Sequence, residues 1–431
     1  MAEKERTYFC IDMKTFFASV ECADRGLNPF ETGLVVADET RGPHALCLAV
    51  SPHLKAQGVL NRCRLSDIPK SIPYTIAPPR MARYIEYAAR IYAVYLDYIS
   101  PEDIHVYSID EAFLDVTSYL SLYHTDALSF ARVLMQEIAN RCNIPSTVGI
   151  GSNLYLAKIA LDITAKHAKE HIGYLNEDSY RQTLWHHRPI TDFWMVSRGT
   201  SARLARLGVF DMEGITRIPA DTLYREFGKN AELLIDHAWG REPCLIEDIK
   251  NYRPSSRSVS FSQILPRDYS VEEARIVMRE MVQNGAEELM RQKLITNRVG
   301  IEIGYTFGER APDKGSARLT VTTSLTSFLT EAAVSLYDRT VQKGGTPRIR
   351  RLAVVFSPVY SESCEGYDLF CNFEDVEREK RRQQAILDVK KRYGKNAVMA
   401  GYSYLPSAMQ RERNRLIGGH RAGENEEIDS L

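Results

Sequence analysis

The chain has 431 residues, 44% of them hydrophobic, and a formal net charge of -1, which is ample apolar material for several cores and a length that predicts two to four domains. No apolar stretch approaches the roughly 18 residues of a membrane span and the polar start through Thr7 does not read as a signal peptide, so the expectation is a cytoplasmic protein with no membrane partner. Eight cysteines, at 10, 22, 47, 63, 142, 244, 364 and 371, form no close CxxC pair, which argues for reduced thiols and against structural zinc, and the near-neutral charge confines any nucleic-acid-binding surface to a local patch.

Tyr8-Phe9-Cys10-Ile11 is a short continuous apolar run of the kind buried on both faces of a sheet, and it stops at Asp12. A carboxylate is thus delivered from the end of a central strand. Phe16 to Glu21 opens a helix whose aromatic residues read first as core. Leu48 to Val59 reads as an ordinary exposed segment carrying Lys55, and Ile91, Val94, Tyr95 and Tyr98 recur at helical spacing behind Arg80 and Arg83. The run from Ile104 to Val116 is strand-like, with Asp110 and Glu111 adjacent inside it. Neighbours on a strand face opposite ways, so both acids reach one object only if the chain turns between Ser108 and Glu111, placing them at a hairpin tip. Unpaired carboxylates there repel one another unless a cation holds them, and hard oxygen donors suit magnesium or manganese rather than zinc. Taken alone, the tip is equally well explained by acids that solvate a hairpin end. With Asp12 it supplies three acids from two strands, the set that a two-metal phosphoryl-transfer site needs.

Phe130 to Ile138 forms another helix, and Ser146 to Asn153 leads by a glycine turn from a strand into a helix continuing to Asp162. The outline is that of a phosphate loop, but the spacing is not that of a Walker motif. Asp192 to Val209 resembles a helix-hairpin-helix whose turn, with Gly199 and Ser201, would aim amide hydrogens at a DNA phosphate; a hairpin that only packs is the competing reading. Beyond the polar stretch Asn251 to Ser256, amphipathic strands at 257–263, 298–305, 318–323 and 350–356 alternate with helices at 271–293 and 328–343. The order is strand, helix, strand, strand, helix, strand. Residues 251–360 hold 16 Lys/Arg against 11 Asp/Glu, a local excess suited to gripping a nucleic-acid backbone. From 361 the chain is polar, then offers Tyr367-Asp368-Leu369-Phe370 ahead of a charged helix.

Ile11-Asp12-Met13-Lys14-Thr15-Phe16-Phe17-Ala18-Ser19-Val20-Glu21, followed by Ser108-Ile109-Asp110-Glu111-Ala112-Phe113-Leu114-Asp115, closely resembles the two palm motifs of the Y-family DNA polymerases, the translesion enzymes of UmuC/DinB type. The end, Arg411 to Arg421, is similar to the C-termini of UmuC-like members from Gram-positive bacteria. The resemblance implies an α+β, multidomain right-hand polymerase. Its palm would take residues 1–15 and 82–176, its small fingers 16–81, a helical thumb 177–245, a linker 246–255, a β-α-β-β-α-β little finger 256–360 and a C-terminal tail 361–431.

The activity so implied is template-directed, low-fidelity translesion synthesis on primer-template DNA with deoxynucleoside triphosphates. Asp12, Asp110 and Glu111 would be the catalytic acids and, with the Met13 carbonyl, would hold two magnesium ions. Nucleotide contacts would come from Met13, Lys14, Thr15, Phe16, Phe17, Ser51, Lys55 and Lys166. Among these, Phe17 would clash with a ribose 2′-hydroxyl, Ser51 would replace a tyrosine hydroxyl missing at Pro52, and Lys166 would match through a one-residue shift. DNA contacts would involve Gly199, Ser201, Arg257, Ser258 and Ser260, and the sliding clamp would dock on Tyr367 to Phe370. Two rivals stand beside this reading. A nucleotidyl cyclase would need neither thumb nor basic outer domain, and a catalytically inactive DNA-binding relative would be expected to carry damaged acids.

Overall fold

A computed structural model describes residues 6–306, 308–341, 347–367 and 372–423. The chain divides into two units, Met1–Tyr252 and Arg253–Leu431.

The first unit opens with β1 (Tyr8–Met13) and α1 (Phe16–Asp24). A small sheet in the order β3-β2-β4 follows, made of β2 (Leu34–Val36), β3 (Ala49–Val50) and β4 (Thr75–Ala77), with the short helix α2 (Pro52–Ala56) after β3. Its separate core of Val35, Ala37, Val50, Leu54, Val59 and Ile68 gives the 16–81 insertion an interior of its own. Then come α3 (Met81–Leu96), β5 (Ile104–Val106), β6 (Glu111–Asp115), α4 (Thr117–Leu122), α5 (Ala127–Cys142), β7 (Ser146–Gly151), α6 (Leu154–Ile159) and β8 (Ile172–Leu175).

The main sheet runs β5-β6-β1-β7-β8, antiparallel except for the β7–β8 pair. Strand β1 lies at its centre, and alternation splits its residues. Phe9, Ile11 and Met13 enter the large core with Tyr84, Tyr87, Ile91, Val94 and Tyr95 of α3, while Tyr8 and Cys10 meet Phe113, Leu154, Ala157 and Leu161 on the other face. Burial on both faces explains why the strand reads as a continuous apolar run.

The glycines in β7 serve packing rather than phosphate. A Cβ on Gly149 would sit 2.1 Å from the Ala157 carbonyl oxygen, and one on Gly151 would sit 2.1 Å from the Ala157 nitrogen. Only glycine lets α6 lie directly on β7. A π-helix, Ala160–Thr164, extends α6.

Helices α7 (Glu177–Leu184), α8 (Arg198–Arg206), α9 (Met212–Thr216), α10 (Ala220–Phe227) and α11 (Asn230–Trp239) make a helical lobe. Its core of Tyr180, Phe193, Leu204, Ile215, Leu223 and Leu234 continues into Tyr155 and Ile159 of the sheet domain. The expected linker is shorter than its 246–255 span. Residues Ile246–Asn251 form α12, whose Ile246 and Ile249 dock beside Tyr8 and Phe113, because an Ile-x-x-Ile step on a helix makes an apolar face.

The second unit bears out the alternating pattern: β9 (Val259–Tyr269), α13 (Val271–Arg291), β10 (Leu294–Tyr305), β11 (Asp313–Thr323), α14 (Thr326–Val341) and β12 (Ile349–Phe356). The sheet order is β11-β10-β12-β9, and an extra short strand, β13 (Val359–Ser361), pairs with β10. Helix α13 presses so closely on the sheet that a Cβ at Gly285 would stand 2.2 Å from the Phe356 ring.

The described residues after 361, expected as a tail, fold onto this unit. Helix α15 (Phe373–Tyr393) joins Lys390 to Glu287 of α13 at 2.7 Å. Its Gln383 accepts the Thr326 amide and donates to the Ser324 carbonyl, each at 3.1 Å. The buried Glu280 of α13 accepts the Met409 and Gln410 amides at 2.8 and 3.1 Å, capping the one-turn helix α16 (Gln410–Arg413). Of the expected clamp peptide Tyr367 to Phe370, residues 368–370 lie outside the described residues.

Candidate active site

The strand register brings the three acids together. Asp12 is the Cα partner of Glu111 across β1 and β6, and the Met13 amide donates to the Asp110 carbonyl at 2.9 Å. Glu111 is the first residue of β6 and Asp110 the last of the turn, so the chain reverses just before Glu111. Paired residues of neighbouring strands share a face. Asp12 and Glu111 therefore point toward α6.

Each acid has its own environment. Burial above all, then Asp110 and Glu111, push the Asp12 carboxyl up to about 7 against the pull of Lys166 and Lys158. A carboxylate held up in this way favours a cation beside it. On its other side, across β7, Asp12 pairs with Thr147, whose hydroxyl is buried and has no hydrogen-bond partner. The donors gathered here, carboxylates and a hydroxyl, are hard oxygens and fit a hard divalent cation. Asp110 accepts from the Ser108 hydroxyl at 2.6 Å. Glu111 is gripped by Lys158 Nζ, 2.8 Å from Oε1 and 2.9 Å from Oε2, and the Cys10 thiol donates to Oε1 at 3.1 Å. So held, the acids do not close a cage: among the described residues no three Asp, Glu, His or Cys side chains are grouped tightly enough to hold one metal ion.

A cationic rim faces Asp12. Lys14, half-buried, is lowered first by desolvation and then by Lys55 and Lys166, while Lys55 is lowered by desolvation and by Lys166. Three lysines within electrostatic reach of one another repel, and an anion with several negative oxygens relieves that repulsion. Lys166 reaches this rim from the end of the π-helix and pairs with Asp162 at 2.7 Å. A π-turn absorbs one extra residue in a helix.

At the start of α1, Thr15 adopts φ 46°, ψ 48°, a left-handed conformation unusual for a β-branched residue. The Phe17 ring, partly exposed, stacks on Tyr84 at 4.5 Å and 17°, and Tyr84 is fixed in turn by its hydroxyl to Glu21 at 2.8 Å. Phe16, 2% exposed, lies in the core, so its ring is closed to a nucleotide and only its backbone remains to make such a contact.

Ser51 is a correction. Its hydroxyl is wholly buried, donates to the Thr32 carbonyl at 2.7 Å and caps α2 by accepting the Leu54 amide, so it offers no free donor to a phosphate. The helix-hairpin-helix turn differs as well. Met195 takes the positive φ of 68°, Ser197 is the N-cap of α8, and Gly199 lies in that helix's first turn. The Ser201 amide is bonded to the Ser197 carbonyl at 2.8 Å, which leaves only its hydroxyl for DNA. Arg257, Ser258 and Ser260 are all exposed, Ser260 on β9.

Comparison with known proteins fits this geometry. The impB/mucB/samB family model matches residues 11–162 and the model of that family's C-terminal domain matches residues 256–369, more than half of the chain between them. The chain belongs to the impB/mucB/samB family. It is 29% identical to the putative UV-damage repair protein UvrX of Bacillus subtilis (strain 168), over 97% of this chain and 98% of the relative. It is 28% identical to DNA polymerase IV 2 of the same organism, over 97% of this chain and 99% of the relative. Among solved structures, a Y-family DNA polymerase chimera, Dbh-Dpo4(243-245)-Dbh, superposes with a TM-score of 0.63 at 21% identity, covering 81% of this chain and 98% of its own. The fold is thus the α+β, multidomain fold of the Y-family polymerases.

Within this impB/mucB/samB member, Lys158 is the residue that sequence reading missed. It sits 8% exposed on a helix whose other inward residues are Leu154, Ala157 and Leu161. A lysine in an apolar stripe must have an anionic partner, and that rule is the signal that could have flagged it.

Proposed function

We propose that the chain is a template-directed DNA polymerase of low fidelity that extends primers past damaged bases. The observation that carries this reading is the placement of Asp12, Asp110 and Glu111 at one end of adjacent central strands, opposite Lys14, Lys55 and Lys166. Carboxylates on one side and ammonium groups on the other match a triphosphate whose α-phosphorus is attacked while pyrophosphate leaves.

Asp12, Asp110, Glu111 and the Met13 carbonyl would hold the two magnesium ions. Bound divalent cations supply charge neutralisation for the attacking 3′-hydroxyl and the leaving pyrophosphate. Lys14, Lys55 and Lys166 bind the triphosphate oxygens, and Thr15 with the first amides of α1 orients them. Phe17, braced by Tyr84, forms the wall against which a 2′-hydroxyl collides. The exposed start of α8 at Gly199 and the Ser201 hydroxyl meet the DNA backbone, as do Arg257, Ser258 and Ser260 at the edge of the second unit's sheet. Tyr367 to Phe370 serve as a clamp-binding peptide, a role supported by the adjacent apolar pair Leu369 and Phe370. Among the described residues no helix is long and apolar enough to cross a membrane.

Primer extension with magnesium tests the assignment. Asp110→Ala and Glu111→Ala are expected to bind primer-template DNA and fail to lengthen it. Extension retained by either variant would remove that residue from the site.

A further inference from the structure

Glu111 is already taken. Both of its carboxylate oxygens lie within 2.9 Å of Lys158 Nζ, and Oε1 also receives the Cys10 thiol. Lys158 is held in turn by Asp162 at 3.0 Å, and Asp162 is shared with Lys166 of the cationic rim. The ammonium group lies 5.8 Å from the centre of the Tyr107 ring, and the Tyr107 hydroxyl accepts from Trp194 Nε1 at 3.1 Å. Close packing of α6 on Gly149 and Gly151 fixes the height of Lys158 over the sheet. A lysine this buried cannot swing into water without breaking two ion pairs.

An ammonium and a divalent cation compete for the same carboxylate lone pairs. We propose that Lys158 is a positioning residue that holds Glu111 away from the cations until the nucleotide-bearing site assembles, so that the cation on the primer side binds weakly to the free protein. The idea rests on the polymerase reading and deepens it. It also gives Asp162 a part: as a triphosphate draws Lys166 away, Asp162 is left to Lys158 alone, which loosens the grip on Glu111.

Manganese binding to the full chain, followed by electron paramagnetic resonance without DNA or nucleotide, tests this directly. Lys158→Met is expected to bind manganese about tenfold more tightly than wild type, while Lys158→Arg stays at the wild-type value. Lys55→Met, which removes a positive charge near Asp12 but is ion-paired with neither Glu111 nor Asp162, should shift the affinity much less. In primer extension the half-saturating magnesium concentration should fall for Lys158→Met and return to the wild-type value in Lys158→Arg. Unchanged or weaker manganese binding by Lys158→Met would overturn the proposal, as would an equal gain in Lys55→Met, since general charge would then explain it. If Lys158→Met does not fold, Cys10→Ala removes the thiol donor from Glu111 and should give a smaller shift in the same direction; no shift there would overturn the proposal too. A wild-type chain that binds manganese but extends no primer would refute the polymerase reading and leave the competition at Glu111 intact.

Discussion

Replacing Asp12 with asparagine separates its chemical task from its cost to the fold. Its carboxyl stands at about 7 instead of 3.8, chiefly through burial and secondarily through Asp110 and Glu111. A shift of about three units corresponds to at most about 4 kcal/mol, and partial contact with water reduces the expectation to about 2–3 kcal/mol. Because the folded value is raised, the stability contributed by the bound proton is complete below 3.8 and is lost as pH rises through about 7. At about pH 8.5 without cations, the wild type therefore carries the whole cost of an ionised Asp12, and the isosteric amide carries none. Denaturant unfolding in a chelator should show Asp12→Asn more stable than wild type by about 2–3 kcal/mol at that pH, with the gap closing toward about pH 4. Millimolar magnesium should close it from the other side by stabilising the wild type alone. The variant should extend no primer. Equal or lower stability of Asp12→Asn at alkaline pH would refute the reasoning.

Other consequences are as direct. Phe17→Ala should raise ribonucleotide incorporation at least about tenfold in single-nucleotide kinetics, and unchanged sugar discrimination would count against the gate. Lys55→Ala and Lys166→Ala should each raise the KM for the nucleotide about tenfold with less effect on kcat, read from steady-state extension. Thr15→Gly should relieve the left-handed strain and stabilise the first unit by about 1 kcal/mol, measured by thermal unfolding. Gly285→Ala forces a methyl into the Phe356 ring 2.2 Å away and should destabilise the second unit by about 2–3 kcal/mol, visible in its unfolding transition.

Much of this was legible because period and position survive in the chain. The apolar run ending at Asp12 and the acid pair at 110 and 111 specify a hairpin tip against a central strand, and the structure has that arrangement. Four alternating strands and two helices after residue 257 emerge within a few residues of their expected limits, β9 being the longest extension. What was not legible depends on contacts distant in sequence. Nothing local to Lys158 states that Glu111, 47 positions away, is its partner. Gln383 and Glu280 are polar residues with no local sign of burial, yet both are buried as receptors for amides from other segments. Ser51 is a different case. A serine directly before a proline is a helix-start signature, and that local rule describes its hydroxyl better than a phosphate contact does.

The folding of the C-terminal residues onto the second unit changes what a partner could do there. Gly366 is bridged to Thr322 of β11, the Tyr367 hydroxyl lies 3.2 Å from that of Thr323, and Asn372 caps α15. Gly366, Tyr367 and Asn372 are thus anchored points of the second unit. Any partner that grips Tyr367 therefore loads β11 through Thr323 and the start of α15 through Phe373 at once, and the pull is shared by two elements of the second unit.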